Sequence, residues 1–190
     1  MFDLGEVLVP STGVLPLLAA ELGVDVDVLA AAYWPGRHGY DLGGDEHVYW
    51  RSVLDRLGRD PEPEFVRRLC ALDAAKWSSL PPAGQALLDG LAGVRLGVLS
   101  NAPSPLAASV RAAGWSRAVE VLVFSAEVRL VKPDPRIYAR ADTAYGTAPG
   151  DVVFFDDRED NVAAARAHGW DAHVWVPGTT AADVLALIGS

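Results

Sequence analysis

From about residue 94 onward, apolar runs of strand length alternate with helix-length amphipathic segments, and few folds admit that alternation. The runs cover 94–99, 119–124, 152–155 and 172–176, and the helical segments cover 105–113, 135–145 and 161–168. Strands that alternate with helices favour a parallel sheet with right-handed crossovers. The runs are apolar at consecutive positions, which predicts helices over both faces of the sheet. The expected class is therefore α/β, with a Rossmann-like parallel sheet. Local punctuation agrees: Ser104 and Pro105 suit a helix start, Asp160 is placed to cap the helix that follows it, and Gly114 and Gly169 suit helix ends.

Residues 11–80 have another texture. They read as helices at 14–22, 28–33, 45–57 and 64–77, parted by turn-rich stretches at 34–44 and 58–63. The expected organisation is a small all-helical block, residues 11–80, inserted after the first strand of a core made of residues 1–10 and 81–190. Segments 10–13 and 78–83 would be its hinges. Only two residues precede Asp3, so a central strand there is either very short or lacks upstream residues.

Composition narrows the function classes. The chain has 190 residues, 51% hydrophobic and 22% charged, which suits one sizeable well-cored unit and not a disordered one. Sixteen basic residues against 25 acidic give a formal charge of −9, with no long-range attraction to nucleic acid or anionic membranes. No apolar run reaches the roughly 18 residues of a membrane helix. Nor is there a basic stretch followed by an apolar one at the start. The one cysteine, Cys70, reads as a core position on a helix and fits a reducing compartment, so a cytoplasmic location is expected.

The chemistry-bearing residues follow the apolar runs. Asp3 comes straight after Phe2, Ser100 and Asn101 end the 94–99 run, Lys132 lies in Leu130-Val131-Lys132-Pro133-Asp134, and Asp156-Asp157 follow Phe154-Phe155. In open parallel sheets, ligands bind beyond the carboxyl ends of the strands. Two or three carboxylates there suit Mg²⁺, a hard ion that takes oxygen ligands. A hydroxyl, an amide and a lysine (Ser100, Asn101 and Lys132) suit phosphoryl oxygens, and a carboxylate can act as a nucleophile.

With those residues in order, the chain resembles the haloacid dehalogenase-like hydrolases, in the branch with a small helical cap after the first motif. The resemblance rests on Phe2-Asp3-Leu4-Gly5-Glu6-Val7-Leu8, on Val98-Leu99-Ser100-Asn101, on Val131-Lys132-Pro133-Asp134-Pro135-Arg136-Ile137-Tyr138, and on Phe154-Phe155-Asp156-Asp157 with Asp160-Asn161. The stretch 37–50, with Tyr40-Asp41, Gly43 and Tyr49-Trp50, also looks like that branch, so the likeness covers nearly the whole chain.

The resemblance implies a Mg²⁺-dependent phosphoric monoester hydrolase acting on a small phosphorylated metabolite. Asp3 would be the nucleophile and a metal ligand, and Ser100 would bind the transferring phosphoryl group. Lys132 would neutralise Asp3 and the phosphate. Asp157 would ligate the metal directly, with Asp156 a second ligand or an orienting partner. The backbone carbonyl of Gly5 would complete the protein's share of the coordination. Many members carry a second aspartate where this chain has Gly5, and that acid serves as general acid and base.

Replacements for that acid are Glu6, which reads as a surface carboxylate in a turn, and His38, Asp41 or His47, which read as capping or surface residues. Asn161 either orients the acid pair or only packs. Tyr33, Trp34, Tyr40, Tyr49 and Trp50 are expected to form the core of the helical block. Two other functions fit the same pattern: a metal-independent 2-haloacid dehalogenase and a non-catalytic interaction protein that keeps the fold. A monomer or a homodimer is equally compatible with the sequence.

Overall fold

The structure, a computed structural model, describes residues 1–189. Five helices come first: α1 (Val14–Leu22), α2 (Val26–Tyr33), α3 (Arg37–Asp41), α4 (Glu46–Arg56) and α5 (Pro63–Trp77). Next are α6 (Pro82–Gly90), β1 (Gly97–Ser100), α7 (Ser104–Ala112), β2 (Val121–Phe124), α8 (Ser125–Val128) and α9 (Pro135–Tyr145). The chain closes with β3 (Val153–Asp156), α10 (Glu159–His168), β4 (Asp171–Val174) and α11 (Ala181–Ile188).

The strands form a parallel α/β sheet in the order β2–β1–residues 1–3–β3–β4. β1 pairs with β2 and β3 with β4, while Phe2 bridges Val98 on one side and Phe155 on the other. The Phe2 amide donates to Gly97 O and its carbonyl accepts from Leu99 N, at 2.9 Å each. The Asp3 amide donates to Phe155 O at 2.8 Å. Three residues thus do the work of a central strand, shorter than the usual 5–6.

Successive strand residues point to opposite faces. Phe2, Val98 and Phe155 join one apolar cluster with Leu87, Leu106 and Val184 from α6, α7 and α11. Leu99, Val123 and Phe154 join a second with Ile137, Tyr138 and Val162 from α9 and α10. Both faces are covered, which is why the runs read as continuously apolar.

The boundaries differ from expectation where the backbone is capped otherwise. α7 begins one residue early, with Pro103 as its N-cap and no cap bond from Ser104. α10 starts at Glu159, so Asp160 is inside its first turn and accepts from Asn161 N, and Arg158 takes the cap position. Residues 94–96 lie outside β1 and residues 175–176 outside β4. Gly114 opens a 3-10 turn and does not end α7. Gly169, with φ 105°, ends α10 as expected.

Helices α1–α5 pack on one another and on α7, and their apolar side chains run into the first cluster. Tyr33, Trp50, Tyr40 and Tyr49 are buried there, with Tyr40 stacked on Tyr49 at 4.2 Å between ring centroids. Trp34 departs from the expected aromatic core: it is 47% exposed and faces the cavity described below. Cys70 is buried as expected.

Gly43 carries a φ of +91°, and a Cβ there would lie 2.9 Å from Ala126 O, so only glycine fits where this block meets α8. Truncating the fully buried Trp50 to alanine is expected to cost about 3–5 kcal/mol in a urea unfolding titration, because so large a cavity cannot collapse.

Candidate active site

Three carboxylates converge where the strands end. Asp3 follows Phe2 at the centre of the sheet, and beside it Asp156 ends β3 and Asp157 comes next. One oxygen from each lies within 4.8 Å of the others. Strand pairing causes this meeting, since Asp3 N is bonded to Phe155 O and so lies level with the acid pair.

Lys132 binds the group together from below. Its ammonium lies 3.0 Å from Asp3 Oδ1 and 2.6 Å from Asp156 Oδ2, and it donates to Leu99 O at 2.8 Å. All three ammonium protons therefore have partners, and the nitrogen stands over the Phe154 ring at 5.4 Å. Burial works against the charged lysine, but Asp3 and Asp156 outweigh it and hold its pKa above the ordinary value.

Asp3 is 8% exposed. Burial raises its pKa and the Asp156 charge adds to the rise, while Lys132 and a hydrogen bond from Ser100 oppose it. Its Oδ1 also accepts from Leu4 N at 2.7 Å, which sets the carboxylate's orientation.

The acid pair divides its work. Asp156 is fully buried and its oxygens have donors: Lys132 on Oδ2, and Asn161 Nδ2 at 2.9 Å and Arg158 N at 3.0 Å on Oδ1. Asn161 is buried and its side chain holds Asp156, not Asp157. Asp157 faces the cavity, and burial together with Asp3 and Asp156 pushes its pKa up to about 6.

Asn101 spends both ends of its side chain on Lys132. Its Oδ1 accepts from Lys132 N at 2.8 Å and its Nδ2 donates to Lys132 O at 3.0 Å. These two bonds fix the lysine backbone; the Nδ2 group has a second proton, and Asn101 lines both cavities over the carboxylates.

Over the carboxylates lie two adjoining cavities of about 220 and 960 Å³, which share Asp3, Trp34, Arg37, Asp41, Asn101 and Arg158. Gly5, Ser100 and Asp157 line the smaller one, and Lys132 and His38 the larger. At Gly5 an added Cβ would lie 3.6 Å from the Trp77 ring, an ordinary contact, so crowding does not demand glycine there. Glu6 accepts from Ser11 N at 2.9 Å within an exposed turn. A separate cavity of about 390 Å³, by the amino ends of the strands near Met1, Leu96 and Val184, lies apart from the carboxylates.

Arg37, Asp73 and Trp77 join this neighbourhood although the sequence motifs do not point to them. Tyr33 Oη donates to Asp73 Oδ1 at 2.7 Å and accepts from Arg37 Nη1 at 2.8 Å and Trp77 Nε1 at 3.0 Å. Arg37 also lies 3.0 Å from Asp41 Oδ1. The spacing of Arg37 and Asp41, one helical turn apart in a glycine-rich stretch, is the signal that could have found this pair. Asp73 gives no such signal, since an acid on an amphipathic helix reads as exposed.

The donor set fits a divalent cation. It is all oxygen, and three carboxylates against one ammonium leave two negative charges to balance. Among the described residues, no helix is long and apolar enough to cross a membrane.

Comparison with known proteins agrees with this geometry. The model of the haloacid dehalogenase-like hydrolases matches residues 1–169. An (S)-2-haloacid dehalogenase from Xanthobacter autotrophicus is 30% identical over 119 residues, covering 62% of this chain and 46% of the relative. Phosphatase MT3486 from Mycobacterium tuberculosis is 35% identical over 86 residues, 43% of this chain and 39% of the relative. The matched stretches therefore span less than half the length of these curated relatives. The fold is shared with a haloacid dehalogenase (HAD) family enzyme, BT-2542 of Bacteroides thetaiotaomicron, solved with magnesium and inorganic phosphate. That structure has a TM-score of 0.72 at 17% identity, over 94% of this chain and 93% of that one. On the family match and the shared fold, this chain belongs to the haloacid dehalogenase-like hydrolases.

Proposed function

We propose that this protein is a Mg²⁺-dependent phosphatase for a small phosphorylated metabolite, working through an aspartyl phosphate on Asp3. The observation that carries the reading is the cluster of Asp3, Asp156 and Asp157 around a site already holding Lys132. A haloacid dehalogenase needs an aspartate nucleophile but no cation, and a second and third carboxylate beside that nucleophile would only repel it. Asp3, Asp157 and the Gly5 carbonyl would hold Mg²⁺, with Asp156 contributing an oxygen or orienting its neighbours. The ion would supply charge neutralisation for the phosphoryl oxygens.

This chain's own residues do the rest. Asp3, aligned by Leu4 N and Lys132, attacks phosphorus, while Ser100 and Lys132 stabilise charge on the transferring group. Asn101 and Asn161 keep Lys132 and Asp156 in register. We read residues 11–80 as a cap over a core of residues 1–10 and 81–190. It walls the cavities with Trp34, Arg37 and Asp41, suits a substrate of metabolite size, and excludes water from the reaction. The single buried cysteine accords with a cytoplasmic setting.

The test measures phosphate release from an aryl phosphate and halide release from 2-chloropropionate, each with Mg²⁺ and with chelator. Phosphate release that disappears with chelator and returns with Mg²⁺ is expected. Halide release without metal, in the absence of phosphate release, would replace this reading with the dehalogenase. Asp157→Asn is expected to weaken Mg²⁺ binding by at least about 10–100-fold in isothermal titration, as loss of a group that serves the ion directly requires.

A further inference from the structure

We propose that Asp41, at the end of α3, is the general acid that protonates the departing oxygen of the substrate. The inference rests on the phosphatase reading, and it names the proton donor that this site must have for any ester with a poor leaving group. Asp41 and Arg37 line both cavities that open onto Asp3. The Asp41 side chain is only 13% exposed. Its Oδ1 lies 3.0 Å from Arg37 Nη2 and is closed off from solvent, so the part of the carboxyl left open to the cavities is what a ligand's bridging ester oxygen would meet.

The position of Asp41 is fixed from the core side. Ser125 Oγ, buried at the start of α8, donates to Asp41 O at 2.5 Å, and the close approach of Gly43 to Ala126 lies two residues on. The carboxyl is thus held over the site although it comes from the helical block. Burial pushes its pKa up to about 6, against the pull of Arg37 and with the push of Asp73 and Asp3. Tyr33 and Tyr49 face the same Arg37. Beyond Asp3, the other acids that line the cavities are committed elsewhere: Glu6 to Ser11 N, Asp134 to Arg136, and Asp157 to the carboxylate cluster. His38, on the same helix, is exposed.

The step balances as follows. An Asp3 carboxylate oxygen bonds to phosphorus while the bond from phosphorus to the ester oxygen breaks. The electron pair of that bond goes to the ester oxygen, which takes the Asp41 proton and leaves as the alcohol. Asp41, now a carboxylate, accepts a proton from the water whose oxygen attacks the aspartyl phosphate. Inorganic phosphate departs, and Asp3 carboxylate and protonated Asp41 are restored.

A comparison of p-nitrophenyl phosphate, whose leaving group needs no proton, with an alkyl phosphate, whose leaving group does, tests this on the full chain with Mg²⁺. Asp41→Asn is expected to lower kcat/KM for the alkyl ester by about 10²–10⁴-fold. The kcat/KM of the p-nitrophenyl ester should change by only a few-fold, because hydrolysis of the aspartyl phosphate, which Asp41 serves for both esters, comes after the step that kcat/KM reads; Asp41→Glu should recover much of the alkyl activity. The ratio of the two substrates is read on one preparation, so partial misfolding cancels. Equal losses on both esters would overturn the role of Asp41 while leaving the phosphatase intact. A wild-type chain that hydrolyses neither ester would overturn the phosphatase reading and this role with it.

Discussion

Asp3→Asn is expected to abolish turnover, with kcat falling on the order of 10⁴–10⁶-fold, the range seen when a nucleophile that works as part of a unit is removed. The amide keeps the shape of the carboxylate and can still accept from Leu4 N, so the fold should survive. It cannot attack phosphorus, and it brings one charge fewer to the cation. Lys132 retains Asp156 as a partner at 2.6 Å, so the lysine is not stranded. Two measurements check this: single-turnover phosphate release, and mass spectrometry of acid-quenched protein for a phosphoryl adduct on wild type that is absent from the variant. Full activity in Asp3→Asn would remove the mechanism at its root.

Lys132→Met should damage both stability and catalysis. Among the described residues it removes the only cation in contact with Asp3 and Asp156, and it leaves Asp156 fully buried without a counter-charge. Breaking one side of a buried pair typically costs about 3–5 kcal/mol. The pH dependence has a definite sign. Without Lys132, burial and the Asp156 charge drive the folded-state pKa of Asp3 up with less to oppose them, so the folded protein binds more protons than the unfolded chain. Stability is then lost as pH rises through that raised value and recovered as pH falls.

Urea titrations at pH 5 and pH 8 should show the variant nearer to wild type at the lower pH, and Mg²⁺ should narrow the gap at pH 8. An equal deficit at both pH values would mean that the lysine is held for its packing alone.

The parallel sheet with both faces covered was legible because a fully covered strand must be apolar at consecutive positions, as at Phe154 and Phe155. The meeting of Asp3, Asp156, Asp157 and Lys132 was legible in part: the acids stand at or just past strand-like runs, whereas Lys132 follows β2 only after the short helix α8. Burial of individual polar groups was not legible. Asp41 stands in a stretch of glycines and reads as a surface carboxylate. Only the packing of α3 against α8 and the nearness of Arg37 show it to be enclosed.

Asn101 and Asn161 were placed near the site, but which atoms they serve depends on side-chain geometry that spacing does not encode. Helical spacing alone does not tell which ring of the aromatic group turns outward, and Trp34 is one that does.

The seam at Phe2 has a mechanical side. The backbone of residues 1–3 is what ties β1 to β3, and the attacking carboxylate hangs from its last residue. That segment is the keystone of the sheet. Strain arising in either half travels through two or three hydrogen bonds to the nucleophile, so the aim of Asp3 and the integrity of the scaffold are a single property of the molecule.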